Sequence, residues 1–171
     1  AYGESNVINF DGLPGITGIF GTNARGKSSI IGSIVYALFN DTDRGSIKNL
    51  HVINTRKQHC AADITVSVNG KLYRLERQSV RYPARGKRAA GAMTYLNVYE
   101  VDSDGCIIKD ISGEQRKDTE KSVKALIGGP EDFMMTSFAA QGNMNAFISR
   151  GSTDRKRIIS RFLGLDIFDC I

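Results

Sequence analysis

Cysteine and histidine are scarce in this sequence. The three cysteines, Cys60, Cys106 and Cys170, include no C-x-x-C pair, and the two histidines, His51 and His59, lie eight positions apart. Neither a disulfide framework nor a zinc site follows from those spacings. His59 and Cys60 could supply two metal ligands, but nothing nearby completes the set. A reducing cytoplasm is therefore the expected setting, with the cysteines as small core or surface residues. Long hydrophobic runs are also missing. The longest, Ile30 to Phe39, is interrupted by Gly32 and Ser33 and is far short of the ~20 residues a helical membrane span needs. No signal-peptide pattern is visible. The chain opens at Ala1 rather than methionine, so its natural start is expected to have been cut away.

What is present is enough for a folded core. The 171 residues (18.7 kDa) are 41% hydrophobic and 24% charged, a balance that argues against disorder. The length suits one domain. Net charge is +5, from 23 Lys and Arg against 18 Asp and Glu, and it is concentrated. Between Lys71 and Arg88, seven cations (Lys71, Arg74, Arg77, Arg81, Arg85, Lys87, Arg88) face Glu76 alone, so this segment carries +6 and the rest of the chain −1. The stretch from Arg81 to Met93, with Pro83, Gly86 and Gly91 as breakers, reads as a flexible basic loop. Such a loop either attracts a polyanion, nucleic acid above all, or forms a solvated tip.

Hydrophobic periodicity sets out the elements. Short strands are expected at Val7–Phe10 and Ile16–Phe20, separated by a turn at Asp11–Gly15. Ser28–Asn40 has Ile30, Ile31, Ile34, Val35, Leu38 and Phe39 at helical spacing. Alternation over Ala62–Val68 and Leu72–Gln78 brackets Asn69-Gly70, a hairpin signal because both turn positions accept positive φ. Thr94–Val101 and Cys106–Lys109 make a second hairpin around Ser103–Gly105. Helical patterns return at Asp118–Ile127, Glu131–Ala140 and Thr153–Leu163, the last behind Ser152 or Thr153 as N-cap.

One motif carries chemistry. Gly21-Thr22-Asn23-Ala24-Arg25-Gly26-Lys27-Ser28 matches G-x-x-x-x-G-K-[ST], the P-loop, between an expected strand and an expected helix. Its glycines let backbone N–H groups close around phosphates at the positive end of the following helix. Lys27 would reach the β- and γ-phosphates, and the Ser28 hydroxyl would ligate Mg²⁺; Ser29 lies beside it. Hydrolysis also needs an acidic residue at the end of a buried parallel strand. Asp102 is the best placed, but Asn97 and Glu100 interrupt the run before it, which then turns. That run reads as a half-exposed antiparallel strand, so Asp102 is rejected and the acidic strand is expected to be absent from this chain. Ile111-Ser112-Gly113-Glu114-Gln115 looks like an ABC signature but has one glycine where the phosphate cradle needs two. It reads as a turn into the next helix.

The order of these features resembles the N-terminal half of the ATPase head of SMC-like proteins. The closest type is the SbcC-type ATPase subunit of double-strand-break repair nucleases and its phage exonuclease counterparts. The stretch FDGLPGITGIFGTNARGKSSIIGSIVYALFN resembles the family's strand, P-loop and first helix, and AADITVSVNGKLYRLERQ its hairpin. SFAAQGNMNAFI, Ser137 to Ile148, resembles the Q-loop, and RKRIISRFLGLDIFDCI resembles the exit toward a coiled coil.

The resemblance implies an α/β fold: a P-loop NTPase of ABC-ATPase head type, with a mixed sheet of antiparallel hairpins plus helices, completed by a C-terminal half. Residues 1–149 would form the N-terminal lobe and 150–171 the helix leading to the coiled coil. It implies ATP and Mg²⁺ as cofactors, Gln141 as a ligand of Mg²⁺ or its water, and catalysis through Lys27 and Gln141. Gly21, Thr22, Asn23, Ala24, Arg25, Gly26, Lys27, Ser28 and Ser29 would hold the nucleotide. Arg44 sits where some SMC proteins carry a phosphate-reaching arginine, and a surface arginine fits equally. Ala24 stands where the family usually has Gly, implying negative φ or a slightly strained loop. Arg25 either adds positive charge near the phosphates or points to solvent. The family's first strand, which usually precedes Tyr2-Gly3, is expected to be missing here. The implied partners are the C-terminal half of the same head, a second head in a homodimer, an SbcD-type nuclease subunit and double-stranded DNA, with no membrane. The basic segment Arg81–Arg88 is one candidate DNA or partner contact and Arg150–Arg161 another, where Arg155, Lys156 and Arg157 fit a solvated helix face equally. The setting would be cytoplasmic and nucleoid-associated, or the host cytoplasm for a phage protein. Two other readings compete: a structural SMC-type chromosome organiser and a small-molecule P-loop kinase.

Overall fold

The alternation from His59 onward builds the framework. In the computed structural model, which describes residues 6–13, 15–23, 25–41, 49–86, 89–130, 133–134, 137, 148 and 151–162, four strands form one antiparallel sheet in the order β1-β2-β3-β4. They are β1 (His59–Val68), β2 (Lys71–Tyr82), β3 (Gly91–Val101) and β4 (Ile107–Asp110). The helices are α1 (Lys27–Phe39), α2 (Asn49–Val52), α3 (Arg116–Ile127) and α4 (Ser152–Phe162). The chain divides into two compact units, Ala1–Leu126 and Ile127–Ile171. The expected α/β architecture is present, and all described strand pairs are antiparallel.

The first hairpin turns where the sequence predicts. Asn69 and Gly70 both take positive φ, 51° and 77°, so the turn twists with its strands. The register pairs Ile64 with Leu75 and Leu75 with Val98. By the two-residue period, Cys60, Ala62, Ile64, Leu75, Arg77, Ser79, Thr94, Leu96 and Val98 share one face. Leu75, Leu96 and Val98 are buried there, and so are Val35, Tyr36, Ala37 and Leu38 of α1 and Val123 of α3.

Polar groups are buried on this face too, and Arg77, Ser79 and Thr94 are bonded. Arg77 is 1% exposed. Its Nε donates to the Ala37 carbonyl at 2.9 Å, its Nη2 to the Leu38 carbonyl at 3.2 Å, and its Nη1 lies 3.5 Å from the Glu120 carboxylate of α3. Burial pulls the guanidinium below its usual pKa, and the facing Glu120 opposes that. Two residues on, the Ser79 hydroxyl bonds the Tyr36 hydroxyl at 2.7 Å and that of Thr94 at 2.6 Å. Desolvation raises the Tyr36 phenol well above its ordinary range, so it stays protonated. Four residues beyond Arg77, Arg81 Nη2 donates to the carbonyls of Leu50, Ile53 and Asn54.

Three expectations are corrected here. Residues 6–13 and 15–20 form no strand. A strand needs a neighbour to take its ladder bonds, and the described sheet offers this segment none. Its apolar side chains are instead exposed, Val7 at 89% and Phe20 at 93%. The turn between the two runs does form, with Leu13 N–H donating to the Phe10 carbonyl at 3.1 Å. Second, the basic loop does not begin at Arg81 or end at Met93: β2 runs to Tyr82 and β3 starts at Gly91. The carbonyls that hold Arg81 make it a structural residue. Third, α4 begins at Ser152, and the Gly151 carbonyl accepts from Arg155 N–H at 3.1 Å, so Ser152 and Thr153 lie in the first turn and not at its cap. Most of the helix expected at Glu131–Ala140 lies outside the described residues.

Two further turn readings hold. Asp102 serves its own turn, its Oδ1 accepting from the N–H groups of Asp104 at 3.0 Å and Cys106 at 2.7 Å. Ile111–Gln115 leads into α3: the Ser112 hydroxyl accepts from Val98 N–H, and Thr119 Oγ1 accepts from Gly113 N–H, both at 3.0 Å. Cys60 and Cys106 are free thiols. Among the described residues, no group of three His, Cys, Asp or Glu side chains could hold a metal, and no helix is long and apolar enough to cross a membrane.

Candidate nucleotide site

The loop Gly21–Ser28 runs directly into α1. Gly26 is the N-cap residue, with φ 91° and ψ 15°, a left-handed conformation that glycine alone takes without cost. Gly26 has no side chain with which to cap this helix end, and the first turn contains no acidic residue. The first N–H groups of a helix have no intrahelical acceptor, and they carry the positive end of its dipole. An anion is what such an end attracts. The Lys27 ammonium folds back across the loop, donating to the Gly21 carbonyl at 2.5 Å and the Thr22 carbonyl at 2.9 Å. That brings the one positive side chain of the first turn over the backbone cradle. Ser28 and Ser29 are exposed on the same turn, as are Thr22, Asn23 and Arg25 in the loop before it.

Residues 1–163 match the family described as the AAA domain. The chain belongs to that family. This AAA domain is 30% identical over 159 residues to a DNA double-strand break repair Rad50 ATPase of Thermoplasma volcanium, covering 93% of the chain and 16% of that protein. It is 24% identical over 171 residues to the SbcC component of the SbcCD nuclease of Bacillus subtilis, covering 97% of the chain and 14% of that protein. A Rad50 ATPase of Sulfolobus acidocaldarius is 27% identical over 147 residues, 85% of the chain and 15% of that protein. The AAA domain thus spans about one seventh of the length of these relatives. The resemblance to an SbcC-type, SMC-like ATPase head is borne out.

The structure gathers Gly21, Thr22, Asn23, Arg25, Gly26, Lys27, Ser28 and Ser29 at the N-terminus of α1. Ala24, Arg44 and Gln141 lie outside the described residues. What sequence reasoning missed is the polar layer under the far end of α1, Arg77 with Ser79 and Tyr36. A signal for it existed: Arg77 and Ser79 share the strand parity of Leu75, a buried position, and a cation on an apolar face asks for buried acceptors.

Proposed function

We propose that this AAA domain binds and hydrolyses ATP as part of a DNA double-strand-break repair and recombination nuclease complex. The observation that carries the reading is the α1 N-terminus, with left-handed Gly26, an acid-free first turn, and the Lys27 ammonium laid over the loop. These residues fit a nucleoside triphosphate by charge and by donor set. Backbone N–H groups from Gly21 to Ser29 would hold the phosphates, Lys27 would neutralise the β- and γ-phosphates, and Ser28 with Gln141 would hold Mg²⁺. When bound, the metal supplies charge neutralisation at the transferred phosphoryl group. Arg44 would add a phosphate contact.

The sheet supports a composite site. All four described strands are antiparallel, and Asp102 is committed to its own turn. The acidic metal-holding strand and the signature would therefore come from a C-terminal half of the same head. The exposed apolar side chains of Val7, Ile16 and Phe20 suit burial against such a half. On this reading residues 1–149 form the N-terminal lobe and 150–171 lead to a coiled coil. Two heads sandwich ATP, and closure and release gate double-stranded DNA and an SbcD-type nuclease subunit in the cytoplasm. The antiparallel sheet disfavours a small-molecule kinase, whose substrate sites need parallel βαβ units.

Full-length protein should bind ATP with Mg²⁺, and Lys27→Ala should weaken that binding by at least about tenfold, the loss of one charge-assisted contact to phosphate. Isothermal titration measures both. ATP binding unaffected by Lys27→Ala would sink the site assignment. Co-purification with an SbcD-type metallophosphoesterase, and ATP-dependent DNA end resection by the pair, distinguish the repair complex from a structural SMC protein.

A further inference from the structure

The bonds at the far end of α1 concern the same helix that carries the P-loop. Its thirteen residues make a rod of about 20 Å. At its C-terminus the last four carbonyls have no intrahelical donor. The Asn40 N–H takes the Tyr36 carbonyl at 2.9 Å, and the guanidinium of Arg77 takes the next two, Ala37 and Leu38. The Tyr36 side chain is tied to Ser79 of the same strand. Two side chains of β2 therefore grip one turn of α1 at three points, in a region closed to water. Glu120 of α3 holds the guanidinium from its other side.

We propose that Arg77 is a positioning residue for nucleotide binding: through Ala37 and Leu38 it fixes α1 against the sheet and so holds the P-loop end of the helix in place. Three physical points carry this. The planar fork of an arginine fixes direction as well as distance, which a lysine ammonium does not. A rod pinned at one end by a fork and a hydroxyl bond loses both sliding and rotation about its axis. A cation at the C-terminus and an anion at the N-terminus stabilise the same dipole, so the guanidinium and a bound phosphate favour one helix geometry together. The inference rests on the proposal that the α1 N-terminus takes ATP.

The test uses full-length protein, ATPγS with Mg²⁺ as probe, and two readouts, binding by titration and hydrogen exchange by mass spectrometry. Arg77→Lys keeps the charge and removes the fork. It is expected to weaken ATPγS binding about fivefold, within the range that residues remote from a ligand exert. Val98→Ala, a sheet-core change 0% exposed in the parent, serves as the destabilised control. It should lower the melting temperature and leave the affinity as it was. In the parent protein, ATPγS should slow exchange at 35–40 as well as at 21–29. A folded Arg77→Lys protein with parental affinity overturns the proposal. So does protection confined to 21–29, a readout that needs no variant and decides the matter if Arg77→Lys fails to fold. Failure of the parent to bind ATPγS at all removes the ATP reading and this inference with it. Parental binding with an unmoved Arg77→Lys affinity removes this inference alone.

Discussion

Gly26 shows how one residue's backbone governs the site. At φ 91° any L side chain meets its own carbonyl, a cost of about 1–2 kcal/mol. Gly26→Ala should therefore lower unfolding stability by about 1 kcal/mol, and it should also weaken nucleotide binding, because relief of the strain moves the N–H groups proposed to hold the phosphates. Chemical denaturation and nucleotide titration measure the two effects; a loss of stability with full affinity would show that the left-handed cap is not needed for the cradle. The motif made this position legible in advance, since the second glycine of a P-loop stands there. Asp102 was legible as well, because Ser103, Asp104 and Gly105 after it spell a turn and its carboxylate bonds that turn. Arg77 was not. A charge count treats every cation alike; strand parity with Leu75 was the one signal in the sequence, and the register shows what that parity means, a guanidinium inside the core.

At the scale of elements, β2 does the most. Its inner face carries Leu75, Arg77, Ser79 and Arg81 in succession, an apolar contact followed by three polar anchors. The second arginine anchor sets α2. A helix of four residues cannot sustain itself by its own bonds, and Arg81 Nη2 takes the carbonyls of Leu50, Ile53 and Asn54. Arg81→Met should cost about 2 kcal/mol by leaving half-buried carbonyls unbonded, and hydrogen exchange at 49–54 should rise more than exchange elsewhere. An unchanged pattern at 49–54 would mean that packing of Ile53, itself buried, is enough to hold the helix. The hairpins were readable because Asn-Gly and Asp-Gly turns are local chemistry. The strands expected before the P-loop failed because strand formation is not local: apolar residues supply propensity, and a neighbouring strand must supply the bonds.

Across the whole molecule, three of the five described cations in the +6 segment pair with carboxylates. Lys71 bonds Glu100 at 2.7 Å, which raises its pKa, Arg74 meets Glu76 at 2.6 Å, and Arg77 faces Glu120. Of the described cations in that segment, Arg85 alone stands exposed at the tip between β2 and β3. The chain also spans only 12–16% of its relatives' length. The isolated 171-residue chain should turn over ATP negligibly, with activity appearing when a fragment bearing the signature and the acidic strand is added. Phosphate release measures this, and robust turnover by the chain alone, lost on Lys27→Ala, would refute the shared site.

The sequence by itself determined the P-loop, the hairpin turns and the family, because each depends on residue types at fixed short spacings. Tertiary structure alone decided which charges are free and which are buried ties. It also decided which apolar runs become strands and what grips the far end of α1. Those outcomes depend on partners distant in the chain: Arg77 meets Ala37 across 40 positions and Glu120 across 43, separations that no local pattern records.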